Sequence, residues 1–402
     1  MGTAEGKLTS IEICAGAGGQ AVGLHAAGFR HLALVEIDKH AVETLRQNVK
    51  TQPGWEWERD HCLISEGDVK DFRPLEVVPN PVPDAIRKPA RKVIGEDKML
   101  QSGQLDLLAG GVPCPPFSAA GKQLGPDDER DLFPTMLGLV ETLKPRAVMI
   151  ENVRGLVEPE LKFRYYRNHI KNTLRDLDYV VCGWRVLEAQ DYGVPQLRPR
   201  AILVAIHKDH YRGFDWPKPH LKVKTVAQEL EASMLKRLGG KESPLFKQWW
   251  DQAKLGTVAP TLVGGSKKHG GADLGPTRAK RAWGLLGVNA MGVANDEGNV
   301  VDRDRDLGNL KDKRGPMLTV AQAAIIQGFP ERWLFTGGKT ARYRQVGNAF
   351  PPPVAEAVGL ALHEALSRTG DVIPDPNPEH EPARDPSLTP EGFAMQESFP
   401  VS

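Results

Sequence analysis

Ser10-Ile11-Glu12-Ile13-Cys14 runs straight into Ala15-Gly16-Ala17-Gly18-Gly19, and a helical stretch follows from Gln20 to Ala27. This is a short apolar strand, a glycine-rich turn and a helix, with Gly28 suited to the position just past the helix end. The same alternation continues outward. His31 to Ile37 reads as a strand and Lys39 to about Val49 as a helix. Leu105 to Ala109 is another strand, ended by Gly110-Gly111. Leu132, Met136, Leu137, Val140 and Leu143 recur at helical spacing, Lys144-Pro145-Arg146 stops that helix, and Ala147 to Ile150 is a buried strand. Tyr179 to Leu187 and Arg200 to Ile206 are strand-like, and a last helix runs from about Val354 to Ala365. Strands alternating with helices specify an α/β fold around a parallel sheet.

The remainder of the chain bounds the problem. Its 402 residues suggest two domains, and 40% hydrophobic content allows a substantial core. No apolar run approaches the ~20 residues that span a bilayer, and Met1 to Ser10 has no signal-type stretch. A cytoplasmic protein without a membrane partner is expected. Cys14, Cys62, Cys114 and Cys182 are widely spaced, so neither a disulfide framework nor a metal cluster is indicated.

The net charge of +1 hides an uneven distribution. Lys218 to Arg281 carries 13 Lys/Arg against 5 Asp/Glu, a basic surface suited to a polyanion. Thr369 to Ser402 carries seven acidic residues, one Arg and seven prolines, and reads as a disordered acidic tail. Asp71 to Gln104 reads as a basic, Pro-containing surface insertion. After Ile206 the periodicity dissolves, and it returns near Met317.

Several positions carry chemistry. The glycine turn allows close backbone approach to a ligand at a helix N-terminus, but it lacks the G-x-G-x-x-G spacing of a dinucleotide site. Glu36 lies 20 residues beyond Gly16, where a carboxylate can accept both hydroxyls of a ribose. Asp68, in Gly67-Asp68-Val69, suits the end of a third strand and an adenine amino group. Read alone, this segment fits a tight structural turn with a solvated Glu equally well. Gly110-Gly-Val-Pro-Cys-Pro-Pro-Phe-Ser118 places Cys114 in a proline-stiffened loop after a strand, as a nucleophile or as an inert thiol. The polar loop Ala119 to Asp131 beyond it has the composition of a lid. Glu151 follows four apolar residues and needs a partner or a function. Arg198 and Arg200, alternating at a strand entry, project to one side and suit a phosphate, a base carbonyl or a salt-bridged strand end. Arg344-Gln-Val-Gly-Asn-Ala-Phe350 reads as a loop before the last helix.

Taken in order, the glycine turn, Glu36, the Pro-Cys loop, Glu151-Asn152-Val153, Gln196-x-Arg198-x-Arg200, Gln327-Gly-Phe-Pro330 and Gln345-x-Gly-Asn348 resemble the DNA (cytosine-5) methyltransferase family of the prokaryotic restriction–modification type, from Ile11 to about Ala365. The resemblance implies a Rossmann-like S-adenosylmethionine-dependent methyltransferase sheet with a smaller, irregular target-recognition domain. It assigns 1–206 plus 340–368 to catalysis and cofactor binding, and 207–339 to target recognition.

The implied cofactor site holds Cys14, Ala15, Gly16, Gly18, Gly19, Glu36, Ile37, Asp68, Val69, Gly111, Pro113, Leu132 and, from the far end of the chain, Gly347 and Asn348. The implied catalytic set is Cys114, which attacks C6 of a flipped-out cytosine, Glu151 on the base's N3 and amino edge, and Arg200 on its carbonyl. Asn152 and Arg198 support the loop geometry. The sequence departs from the family in having Cys14 for the usual Phe, Glu12 for the usual Asp, and Pro115 where many relatives have Gln.

The expected partner is double-stranded DNA, read by a monomer. The expected DNA contacts are Ser118, the segment Ser266, Lys267, Lys268 and His269, and Arg278 and Arg281 on a helix. A cognate restriction endonuclease would act separately. The tRNA-directed branch of the family is the alternative, although its Cys-Phe-Thr tripeptide is missing from the target segment.

Overall fold

The computed structural model describes residues 7–74, 103–113, 131–161, 163–220, 222–264, 272–295, 307–308 and 315–382. Seven strands form one sheet in the order β3-β2-β1-β4-β5-β7-β6. They are β1 (Thr9–Ile13), β2 (Arg30–Glu36), β3 (Leu63–Glu66), β4 (Leu107–Gly110), β5 (Ala147–Val153), β6 (Tyr179–Glu188) and β7 (Pro199–His207). β1 to β5 pair in parallel, and β7 runs antiparallel between β5 and β6. The order reverses between β1 and β4. In open α/β sheets ligands collect in the crevice at such a reversal, outside the carboxyl ends of the strands.

Helices cover both faces. α1 (Gly19–Ala26), α2 (Lys39–Thr51), α3 (Glu56–His61), α4 (Phe133–Leu143) and α5 (Arg164–Asp176) follow the first strands. One face packs Ile11, Ile13, Leu108, Val148 and Ile150 against Met136 and Val140 of α4 and Ile170 of α5. The other packs Leu107, Ala109, Met149 and Val204 against Leu24 of α1 and Val354 and Val358 of the last helix, which returns to the N-terminal part. That contact demands glycine. A Cβ on Gly23 would stand 2.3 Å from the Pro352 carbonyl.

The stretch after Ile206, expected to be irregular apart from the helix bearing Arg278 and Arg281, contains three helices among its described residues before Val320: α6 (Val226–Arg237), α7 (Pro244–Ala253) and α8 (Thr277–Leu285). α6 begins with a reciprocal capping box between Thr225 and Gln228, a signal local enough to survive the weak periodicity around it. α9 (Val320–Gln327), α10 (Lys339–Asn348) and α11 (Pro352–Ser367) complete the chain. Leu45, Val49 and Trp55 of the N-terminal part share one core with Leu230, Trp249, Trp283, Ile326 and Trp333. Among the described residues, the stretch expected to recognise the target thus shares its core with the N-terminal part.

Residues 369–382, expected to open a disordered acidic tail, lie along the protein, and 383–402 lie outside the described residues. The Ile373 amide donates to the Tyr211 carbonyl at 3.0 Å, and Asn168 Nδ2 donates to the Pro382 carbonyl at 2.7 Å. Glu381 pairs with Lys171 and Arg175 of α5. Acidic residues against a basic helix face supply what the tail lacks in apolar content. Among the described residues, no helix is long and apolar enough to cross a membrane.

Candidate active site

A cavity of about 500 Å³ opens at the sheet's reversal point. Its lining brings together Cys14, Ala15, Gly16, Gly19, Glu36, Ile37, Asp68, Val69, Gly111, Pro113, Leu132 and Asn348, residues expected from widely separated motifs. Glu151 stands in the same wall.

The glycine turn shapes the floor. Gly16 has φ +55°, and a Cβ built on it would meet nothing within 4 Å, so it faces the open cavity. Gly18 is a correction. It does not line the cavity; its φ is +90°, and a Cβ there would stand 2.7 Å from the Trp333 ring. Glycine is needed at 18 for packing, not for ligand approach. Gly19 abuts the Phe350 carbonyl, where a Cβ would lie at 2.2 Å.

Glu36, at the end of β2, is fixed by three backbone amides. Its Oε2 accepts from Gly16 at 2.7 Å, and its Oε1 accepts from Ile37 at 2.9 Å and Asp38 at 2.7 Å. Carboxylate oxygens retain further lone pairs that face the cavity. Asp68 accepts from the Lys70 amide with Oδ1 at 3.0 Å. Ile37 is 67% exposed at the mouth, an apolar shelf of the kind a planar base covers. The Cys14 thiol is pushed up to about 12 by burial and by the carboxylates of Glu36, Asp68 and Glu12. It is a wall, not a nucleophile.

Glu12 and Gln20 carried little local signal as cavity residues. Both line the cavity, at 1% and 3% exposure, and Glu12 Oε2 and both side-chain polar atoms of Gln20 have no hydrogen-bond partner among the described residues. Burial, and secondarily Glu36, raises the Glu12 carboxyl well above the usual range. Unpartnered polar atoms that also line a cavity can be completed by a polar ligand there. Arg344, Gln345 and Phe350 complete the far wall. Arg344 to Asn348 belong to α10, where a loop was expected, because Gly347 sits in a helix that must pass very close to a neighbouring segment. The glycine was legible; its helical context was not.

The antiparallel strands build the second part. Glu151 on β5 and Arg200 on β7 stand diagonally across the ladder, with Arg200 Nε 2.7 Å from Glu151 Oε1. Burial raises the Glu151 carboxyl, opposed by the Arg200 and Arg198 guanidinium groups. Asn152 Nδ2 donates to the Val112 carbonyl at 2.9 Å and so holds the strand exit that leads to Cys114. Arg198 turns into the protein. Its Nη1 donates to the Leu262 carbonyl at 2.6 Å, and its Nη2 donates to those of Gly347 at 2.7 Å and Ala349 at 2.9 Å. The two arginines thus divide, with Arg200 beside the acid and Arg198 joining three segments.

Arg278 and Arg281 lie exposed on α8, whereas Lys280 is paired with Asp273 at 2.9 Å. Cys114, Ser118, the rest of the loop to Arg130, Ser266, Lys267, Lys268, His269 and most of the 71–104 insertion lie outside the described residues.

Comparison with known proteins gives a consistent picture. The family model "C-5 cytosine-specific DNA methylase" matches residues 8–74 and 86–364. The Type II methyltransferase M.NaeI of Lentzea aerocolonigenes is 48% identical over 366 residues, covering 91% of this chain and 77% of that protein. The Type II methyltransferase M.NgoMIV of Neisseria gonorrhoeae is 42% identical over 366 residues, covering 90% of this chain and 99% of that protein. Among solved structures, the Entamoeba histolytica methyltransferase EhMeth superposes with a TM-score of 0.55 over 90% of this chain and all of that one, at 14% identity. At that identity the likeness concerns the fold.

Proposed function

The chain belongs to the C-5 cytosine-specific DNA methylase family, and from that premise we propose how its residues transfer a methyl group to C5 of a cytosine in duplex DNA. One observation carries the reading: Glu151, the expected base-binding acid, stands in the wall of the same cavity as the expected cofactor residues.

The cavity fits S-adenosylmethionine. Glu36 accepts from the ribose hydroxyls, Ile37 and Val69 flank the adenine, and Asp68 takes its amino group. The partnerless atoms of Glu12 and Gln20 suit the polar end of a ligand. When bound, the cofactor supplies an electrophilic methyl group on a sulfonium.

The chain's own residues make the base reactive. A cytosine inside a duplex is out of reach, so it is flipped into the site. Glu151, whose pKa burial raises, holds the N3 and amino edge of the base and donates to N3 in its protonated form, while Arg200 holds the base carbonyl. The Cys114 thiolate adds to C6, the electron pair moves to C5, and C5 takes the methyl group. A base then removes the C5 proton and Cys114 leaves with its bonding pair, restoring a thiolate and giving 5-methylcytosine. Arg198 and Asn152 hold the surrounding segments and touch no substrate. Arg278 and Arg281 contact the DNA, together with Ser118 and the 266–269 segment. The protein works as a monomer in the cytoplasm, as the modification enzyme of a restriction–modification system; a solitary regulatory methyltransferase fits the same residues.

Bisulfite sequencing of plasmid DNA from expressing cells tests this. Protected cytosines in one short recurring context are expected. Unprotected plasmid beside soluble protein, with methyl groups found in tRNA, would overturn the DNA reading.

A further inference from the structure

One wall residue of the cofactor cavity, Asn348, is backed from behind by the target-recognition stretch, at a contact no wider than one glycine. Gly264 is the last described residue before the lysine- and glycine-rich segment expected to meet DNA. It lies against Asn348, which lines the cavity from α10. A Cβ on Gly264 would stand 2.1 Å from Asn348 Oδ1 and 2.7 Å from its Cγ. The approach is mutual. A Cβ on Gly347 would stand 2.6 Å from the Gly264 nitrogen and 2.7 Å from its Cα. Neither glycine has a left-handed φ. What excludes a side chain at either position is space, not backbone conformation.

Neither partner can retreat. Leu262, two residues before Gly264, has its carbonyl held by Arg198 at 2.6 Å and its amide held by the Gln196 side chain at 2.7 Å. The same Arg198 holds the carbonyls of Gly347 and Ala349, on either side of Asn348. Gln196 donates to Gln327 at 2.8 Å, and Gln327 donates to the Ala349 carbonyl at 2.5 Å. Arg198 and Gln196 are both fully buried. An extra methyl at 264 therefore cannot be relieved by sliding either segment; it is relieved by displacing the Asn348 side chain.

We propose that Gly264 is a positioning residue for cofactor binding: its missing side chain lets the target-recognition stretch press Asn348 into the cavity wall. The inference rests on the assignment of the cavity to S-adenosylmethionine. It makes the seating of the target segment and the shape of the cofactor site one structural event.

The test is calorimetric binding of S-adenosylhomocysteine to the full chain, with steady-state kinetics alongside. Gly264→Ala is expected to weaken binding, and to raise the cofactor KM, by about tenfold or more, since a misplaced contact of this size acts on positioning. At saturating cofactor, kcat should stay within about twofold, because uniform binding and not chemistry is lost. In an Asn348→Ala background the added methyl has nothing to displace, so Gly264→Ala should then change affinity less than about threefold. That second comparison carries the test alone if the single variant does not fold. Unchanged binding in Gly264→Ala, a fall in kcat at unchanged KM, or full additivity of the two substitutions would overturn the proposal. A wild-type protein that binds no S-adenosylhomocysteine would instead contradict the cofactor assignment itself.

Discussion

The two halves of the sheet solve opposite problems at the same depth. Around β1 and β2 the cavity is lined by glycine backbone and by polar atoms left without partners, Glu12 Oε2 and both ends of the Gln20 amide. Around β5 and β7 most polar groups are already answered: Glu151 by Arg200, Asn152 by the Val112 carbonyl, and the two terminal nitrogens of Arg198 by three carbonyls, with only its Nε left without a partner among the described residues. The first half offers polar atoms that a bound ligand would satisfy. The second is held in place before any substrate arrives, which is how a protein stabilises charge that develops during reaction without reorganising for it. Binding and chemistry should therefore separate when the halves are perturbed one at a time.

The sharpest break is at Cys114. Cys114→Ala should lower methyl transfer by at least ~10³-fold, since no other group supplies the covalent step, while duplex binding by gel shift stays near wild type. Residual turnover close to wild type would remove Cys114 from the mechanism.

Glu151→Gln is next, with an expected loss of about 10²-fold in kcat and cofactor affinity within about twofold. Its pH profile sharpens the contrast. Burial raises the Glu151 pKa, and the protonated form is the donor, so wild-type activity should fall as pH rises through that raised value. The Gln variant, which cannot lose this proton, should lack that limb. A profile unchanged by the substitution would place the titration elsewhere.

On the binding side, Glu36→Ala frees three backbone amides and should raise the cofactor KM by roughly ten- to hundredfold with a smaller change in kcat. A kcat defect at unchanged KM would erase the distinction between the halves.

Smallest is the tail. Truncation after Arg368 removes the docked strap, whose ion pairs and hydrogen bonds are partly exposed. It should cost about 1–2 kcal/mol in thermal or denaturant unfolding. Activity should stay within about twofold, because the strap lies at the His207 end of β7 and the site at the Arg200 end.

The sequence showed the sheet because its strands are short apolar runs bounded by glycine, proline and charge, and Ile11, Ile13, Val148 and Ile150 are buried as that pattern requires. Much of the site was legible for a related reason. Glu36, Asp68, Glu151 and Asn348 lie at or near element ends, where a polar residue after an apolar run stands out. What stayed hidden depends on partners distant in sequence. Gly18 faces Trp333, not the ligand, and nothing local distinguishes it from Gly16. The role of Arg198 depends on Leu262 and on Gly347 and Ala349, which no local pattern links to it. α7 is short, aromatic and packed into a core shared with α2, so its periodicity is weak. The strap on α5 is held by charge and amide contacts, which a disorder-like composition conceals.

The central claim is that the two halves serve one covalent reaction on a cytosine of duplex DNA. Duplex DNA copied with 5-fluorocytosine in place of cytosine tests it directly, because fluorine at C5 cannot leave as a proton and the Cys–C6 bond stays closed. With S-adenosylmethionine present, a stable protein–DNA adduct should form, and peptide mass analysis should place it on Cys114. No adduct, or an adduct on another residue, would contradict the account.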